Sequence, residues 1–76
     1  MSTEMKFKEL LTQYTGIKKE NITNKMRFRE ELGMSSLDFM TLLGDVEDAF
    51  DIEFSESDQV HISTVGEAIE LLGRYL

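Results

Sequence analysis

The chain has 76 residues, of which 41% are hydrophobic and 30% are charged, and it contains no cysteine, proline or tryptophan. A single core of this size gives a net stability of only about 3–5 kcal/mol, which leaves little room for an elaborate buried active site. Because cysteine is absent, the chain forms neither a disulfide framework nor a cysteine-ligated metal site.

The charge of the chain is strongly segregated. The formal net charge is -7, but residues 1–29 carry +4 and residues 30–76 carry -11. An acidic surface of this kind repels nucleic acid and anionic membranes and attracts basic protein surfaces. The alternative interpretation is that the acidic residues only keep a small domain soluble.

The sequence also indicates the organisation of the chain. No apolar run approaches the ~20 residues needed to cross a bilayer, and the first residues, Met-Ser-Thr-Glu-Met-Lys, do not have the form of a signal peptide. There are no repeats and no Pro/Ser-rich linkers. We therefore expect one monomeric, cytoplasmic domain spanning residues 1–76, without nucleic-acid binding or a membrane span.

The first predicted element is an amphipathic helix. Ser2 or Thr3 can cap it, and Gly16 can end it. Its apolar stripe has the spacing i, i+3, i+4, i+7 and consists of Phe7, Leu10, Leu11 and Tyr14. Residues 15–34 then form a long connection, which is unusual in a small domain unless it is functional or held by buried side chains. The expected anchors are Ile17, Ile22, Met26, Phe28 and Leu32.

The second predicted helix begins near Ser35 or Ser36. Ser35 and Asp38 have the spacing of a capping box, which places a carboxylate where the helix dipole is positive. The apolar stripe comprises Phe39, Leu42, Leu43, Val46 and Phe50. Gly44 lies inside this helix at a cost of roughly 1 kcal/mol relative to alanine, and either the close approach of a neighbour or a functional role would explain it.

The remaining residues predict one short helical turn near 56–60 and a final helix that starts at Ser63 or Thr64. Thr64 and Glu67 match a second capping box. The buried stripe of this helix comprises Val65, Ala68, Ile69 and Leu72. Three main helices and one short helix can bury their stripes only against one another, so the predicted fold is a small all-α bundle.

Catalytic and metal-binding motifs fail to appear. His61 is the only histidine, and Ser36 lacks the Gly-x-Ser-x-Gly motif of hydrolases. The run that starts at Asp51 resembles a calcium loop, but its sixth residue is Glu56 rather than glycine and its twelfth is Ile62 rather than glutamate. The sequence therefore predicts neither an enzyme nor a metal site.

The segment that leads into the second helix carries the most distinctive motif. It contains Leu32-Gly33 and then Ser36-Leu37-Asp38. The second helix ends in the acidic run Val-Glu-Asp-Ala-Phe-Asp at 46–51. In these segments, and again in 52–54 and 63–69, the sequence resembles the acyl carrier protein family. The resemblance covers nearly the whole chain and implies a four-helix carrier bundle.

The resemblance implies that Ser36 carries 4′-phosphopantetheine, a covalent cofactor that a separate transferase moves from coenzyme A. Acyl groups would be held as thioesters on the thiol of this arm, since the chain has no cysteine of its own. A serine at the start of a helix is accessible to another protein, and the unpaired backbone N–H groups there favour a phosphate. The alternative is that Ser36 merely caps the helix, although Ser35 can already do so.

The resemblance also implies a docking strip on the second helix, made of Leu37, Met40, Glu47 and Asp48, on which the transferase and acyl-transfer or ligase enzymes bind. The alternative is that Met40 belongs to the core and that the acids are only solvated. A growing acyl chain would insert among core side chains. These are Val46, Phe50, Phe54, Ile62, Ala68 and Leu72.

The chain departs from the usual family pattern at three positions. Ser35 replaces the aspartate that commonly precedes the modified serine, Thr41 stands where an acid is frequent, and Gly44 stands where a larger apolar residue is frequent. These changes favour a specialised carrier for a dedicated ligase or biosynthetic cluster over a general fatty-acid carrier. The Gly-Gly-x-Ser motif of peptidyl carriers is absent. The alternative is an unmodified acidic interaction module that descends from a carrier.

Overall fold

The structure is a computed structural model that describes residues 2–76, so Met1 of the predicted domain lies outside the described residues. It contains helices α1 (Thr3–Thr15), α2 (Ser36–Phe50), α3 (Glu56–Gln59) and α4 (Val65–Tyr75), with a 3-10 turn at Lys19–Asn21. Within residues 2–76 there is no strand, only an isolated antiparallel bridge between Arg27 and Thr64. The predicted all-α bundle of three main helices and one short helix is confirmed.

Helix α1 begins and ends at the residues that the sequence indicates. The Ser2 hydroxyl accepts a hydrogen bond from the Met5 N–H at 3.2 Å. The helix ends because Gly16 adopts the left-handed conformation, with φ of 74°, which glycine enters without steric cost. Helix α1 packs against both α2 and α4, so its apolar stripe faces the centre of the bundle.

One hydrophobic core joins the three long helices to the connection between α1 and α2. Its buried residues are Phe7, Leu11, Ile22, Phe28, Leu32, Met34, Leu42, Leu43, Val46, Phe54, Val65, Ala68, Leu71 and Leu72. The predicted anchors Ile22, Phe28 and Leu32 are therefore confirmed as buried, while Ile17 and Met26 are partly buried against the same cluster.

Backbone hydrogen bonds join the long connection to the start of α4. The bonds are Phe28 N to Ser63 O at 3.1 Å, Val65 N to Met26 O at 2.9 Å and Gly66 N to Asn24 O at 2.9 Å. The connection thus satisfies polar backbone groups that a buried loop would otherwise leave unpaired. Side-chain burial and this ladder of three backbone hydrogen bonds together explain how a long connection is held in place.

Both predicted capping boxes are present. At α2, the Ser35 side chain accepts from the Asp38 N–H at 3.1 Å, and the Asp38 carboxylate accepts from the Ser35 N–H at 3.1 Å. Thr64 and Glu67 form the same reciprocal pair at α4. Hydrogen bonds from the Ser63 hydroxyl and from the Ser63 and Thr64 N–H groups lower the pKa of Glu67 to about 2. The Glu67 carboxylate therefore remains an acceptor even in mildly acidic solution.

Two side chains of α1 reach α2, in contacts that the sequence does not predict. Lys6 Nζ donates to the Ala49 carbonyl at 2.9 Å and lies 4.6 Å from the centre of the Phe50 ring. The Tyr14 hydroxyl donates to the Asp45 carboxylate, and this hydrogen bond raises the pKa of Tyr14 to about 12. The lysine supplies a positive charge at the negative end of the α2 dipole.

Gly44 corrects one expectation. A side chain at this position would meet no atom within 4 Å outside its own helix, so close packing by a neighbour is the wrong explanation for the glycine. Gly66 in α4 is the opposite case, because an added Cβ would lie 3.0 Å from the Asn24 carbonyl oxygen. Close approach thus requires glycine at residue 66 but not at residue 44.

Gly44→Ala is expected to raise the free energy of unfolding by about 0.8–1 kcal/mol, because alanine loses less backbone entropy in a helix. Gly66→Ala is the matched control and is expected to lower stability, since Asn24 must move while its carbonyl remains hydrogen-bonded. Urea denaturation followed by circular dichroism measures both values. A loss of stability in Gly44→Ala would show that the glycine has a structural role.

Candidate functional site

Ser36 is the first residue of α2, and its side chain is exposed. The capping bond belongs to Ser35, so the alternative in which Ser36 merely caps the helix is wrong. The hydroxyl of Ser36 is therefore available on the surface at the end of the helix where N–H groups point outward. A second protein can therefore approach Ser36 from solvent.

Arg29 lies beside the Ser36 hydroxyl. Its Nη2 donates a hydrogen bond to Ser36 Oγ at 2.5 Å. Because the serine oxygen acts as the acceptor, its own proton stays free to be transferred. No motif or periodicity in the sequence identifies this arginine, although the positive charge of the segment that contains Arg27 and Arg29 is visible there.

Phe28 fixes the position of its neighbour Arg29. The Phe28 side chain is only 4% exposed, and its ring centre lies 4.9 Å from that of Phe39 and 6.4 Å from that of Phe7. The Phe28 carbonyl also accepts a hydrogen bond from the Met34 N–H at 2.9 Å. With Phe28 anchored inward, the adjacent arginine projects from the surface toward the start of α2.

A cavity of about 330 Å³ opens beside Ser36. Its wall combines polar and apolar side chains, with Arg29, Glu30 and Ser36 at the polar part. The apolar part is formed by Phe28, Met34, Phe39, Met40 and Ile62. A flexible group attached to the Ser36 oxygen would therefore have both a charged and an apolar surface within reach.

The predicted docking strip is only partly as expected. Leu37 is 74% exposed and Met40 is 63% exposed, so the alternative that places Met40 in the core is wrong. Asp48 is exposed as well, whereas Glu47 is half-buried and accepts a hydrogen bond from the Phe54 N–H at 2.8 Å. Glu47 therefore holds the segment after α2 in place, which reduces its availability to a partner.

The residues expected to surround an acyl chain lie in the hydrophobic core or against it. Val46, Phe54, Ala68 and Leu72 are buried, while Phe50 and Ile62 are partly buried. Of these six, only Ile62 lines the cavity beside Ser36.

Residues 2–76 include no group of His, Cys, Asp and Glu side chains that is arranged to hold a metal ion. His61 is exposed. None of the helices in this part of the chain is long and apolar enough to cross a membrane.

Fold and site together define a small helical carrier domain, and comparison with known proteins identifies its family. The family model "Phosphopantetheine attachment site" matches residues 6–72. The chain therefore belongs to the acyl carrier family, whose cofactor is phosphopantetheine and whose members are carriers and not catalysts. They interact with transferases and with acyl-handling enzymes.

One solved structure supports this identification, and a second has the same fold. A protein from Mycobacterium tuberculosis that is named as an acyl carrier protein superposes with a TM-score of 0.91 and 25% identity, covering 99% of this chain and 100% of the other. The acyl carrier protein of Enterococcus faecalis gives a TM-score of 0.83 and 23% identity, covering 97% and 94% of the two chains. At that identity, the second likeness shows the fold alone.

Proposed function

We propose that 4′-phosphopantetheine is attached to Ser36 and that the domain, residues 1–76, carries acyl groups as thioesters on the thiol of this arm. The observation that supports Ser36 is an exposed hydroxyl at the start of α2 that the cap does not use. In the attachment step, Ser36 Oγ forms a bond to the phosphorus that bears pantetheine in coenzyme A. The pyrophosphate bond breaks, the adenosine bisphosphate leaves, and the hydroxyl proton passes to a base of the transferase.

Mass spectrometry of the intact protein tests this proposal. The purified chain is incubated with coenzyme A and a transferase of broad specificity. A mass increase that corresponds to one phosphopantetheine group, located on the peptide that contains Ser36, is expected. No adduct with several transferases would support the unmodified interaction module instead.

The same proposal includes the biosynthetic pathway that this carrier serves and its location in the cell. Three departures from the family pattern, Ser35, Thr41 and Gly44, favour a specialised carrier in acyl or polyketide biosynthesis over a general fatty-acid carrier. Ser35 caps the helix as aspartate would, so the replacement of aspartate by serine changes what partner enzymes contact and not the fold. We place this carrier in the cytoplasm as a monomer, with the acyl chain inserting among the helices.

We propose that partner enzymes dock on Leu37, Met40 and Asp48 of α2, with Glu47 as a weaker contributor. The two apolar side chains are mostly exposed and lie on the same helix as Ser36. Exposed apolar residues with an acidic rim match a partner surface that has an apolar centre and basic edges. The segregated negative charge of residues 30–76 would steer such a partner toward this face.

Leu37→Ala and Met40→Ala are each expected to raise the KM of the transferase for the carrier by about tenfold, because an anchoring apolar contact is lost. Raising the salt concentration should raise KM further, since exposed charges are screened beyond roughly 8–10 Å at physiological ionic strength. Val60→Ala, at a position that is 77% exposed and outside α2, is the control and should leave KM unchanged. A KM that does not respond to salt would remove the electrostatic part of the docking proposal.

A further inference from the structure

The Arg29 guanidinium brings a positive charge to the modified position. In residues 2–76, ion pairs join Lys8 to Glu4, Lys19 to Glu9 and Arg74 to Glu70. Arg29 forms no ion pair with a carboxylate of residues 2–76. Its side chain instead donates a hydrogen bond to the neutral Ser36 hydroxyl at 2.5 Å. The guanidinium therefore contacts the same oxygen atom that is altered when the arm is attached.

We propose that Arg29 binds the phosphate of the attached arm and so fixes the start of the arm at the mouth of the cavity beside Ser36. This inference rests on the proposed attachment at Ser36. Attachment replaces the hydroxyl proton with a phosphodiester that carries one negative charge next to Oγ. The hydrogen bond from the cation to a neutral hydroxyl is then replaced by one to an anion, and the planar guanidinium can offer two N–H groups to two phosphate oxygens.

The residues next to Arg29 favour a contact between its guanidinium and the phosphate. Glu30 also lines the cavity, so a phosphate placed there without Arg29 would face a like charge. The buried ring of Phe28 already holds the adjacent backbone, so little backbone freedom is lost when Arg29 forms the new contact. The phosphate would thus be held beside the cavity instead of rotating freely in solvent.

The test compares unloaded and fully loaded protein for the wild type, Arg29→Gln, Arg29→Lys and Arg27→Gln. Arg27 is the matched control, because it is an exposed arginine of the same connection. Its hydrogen bonds to Glu31 and Leu32 are made by its backbone N–H and carbonyl groups, which a side-chain substitution leaves in place. Loading is driven to completion, loaded protein is purified by ion exchange, and intact mass verifies it. Melting temperatures and the phosphorus-31 NMR shift of the phosphodiester are then measured.

In the wild type and in Arg27→Gln, loading is expected to raise Tm by about 2–6 °C more than in Arg29→Gln. The phosphorus resonance of Arg29→Gln should move away from the wild-type position, and added salt should reduce the difference. Arg29→Lys should fall between the two, because a lysine keeps the charge but not the paired donors.

The outcomes separate the two proposals. If the wild type gains no phosphopantetheine on Ser36, the proposed function is wrong. If it is fully loaded, but the Tm difference and the phosphorus shift are the same in Arg29→Gln as in the wild type, the phosphate-binding role of Arg29 is wrong and the proposed function stands. Equal changes in Arg27→Gln and Arg29→Gln would show a general charge effect and would also overturn the inference.

Discussion

Ser36→Ala is expected to abolish attachment of phosphopantetheine completely, because a methyl group has no oxygen with which to form the phosphoester. The fold should be retained, since the side chain of residue 36 is exposed and makes no capping bond. Intact mass spectrometry after incubation with coenzyme A and transferase measures attachment. Circular dichroism confirms that the variant is folded.

Ser35→Ala is the matched control for this experiment. It removes the α2 cap and is expected to lower the free energy of unfolding by about 1 kcal/mol, but it leaves the Ser36 hydroxyl in place. The protein should therefore still gain one phosphopantetheine group. If Ser36→Ala protein still gained an adduct and Ser35→Ala protein gained none, the attachment site would be Ser35, which would contradict the proposal.

Phe28→Ala is expected to lower the free energy of unfolding by about 3–5 kcal/mol, the range for truncating a buried aromatic residue. The ring is 4% exposed and contacts the rings of Phe7 and Phe39, so its removal leaves a cavity between α1, α2 and the connection. Since a core of this size yields only about 3–5 kcal/mol in total, much of the protein should be unfolded at room temperature. Urea denaturation at low temperature measures the loss.

Met40→Ala is the control for this stability measurement, because it truncates an apolar side chain that is 63% exposed. Its free energy of unfolding should stay within about 0.5 kcal/mol of the wild type. Phe28→Leu should lose less than Phe28→Ala, since leucine refills part of the space. If Phe28→Ala cost no more than Met40→Ala, the connection would not be anchored by this ring.

Most of the helical fold could be predicted from the sequence because its signals are local. The apolar stripe of α1 and the caps at Ser2, Ser35 and Thr64 involve residues only three or four positions apart. The exposed position of Ser36 followed from the same logic, since Ser35 and Asp38 already completed the capping box. Short-range geometry thus determined where the helices begin and which serine was available.

The contacts that could not be predicted depend on how the chain folds back on itself, whether the residues are 43 positions apart, as in Lys6 and Ala49, or only seven. Lys6 meets Ala49, and Arg29 meets Ser36 only because the backbone between them returns through a turn at Gly33, where φ is 67°. The family resemblance assigned Glu47 to the docking strip, yet its carboxylate accepts a hydrogen bond from the Phe54 N–H inside the domain. Such pairings depend on how the elements pack, and periodicity carries no information about them.

The hydrogen-bonded ladder between the connection and α4 has a consequence for the order of events during synthesis. The Phe28 N–H donates to the Ser63 carbonyl, and Met26 accepts from Val65, so both bonds need residues made about three dozen positions later. A ribosome-bound chain that has not yet released those residues has nothing to pair with this backbone. The backbone that carries Phe28 and Arg29 toward Ser36 is thus held in its final place only once α4 has left the exit tunnel and packed against the connection.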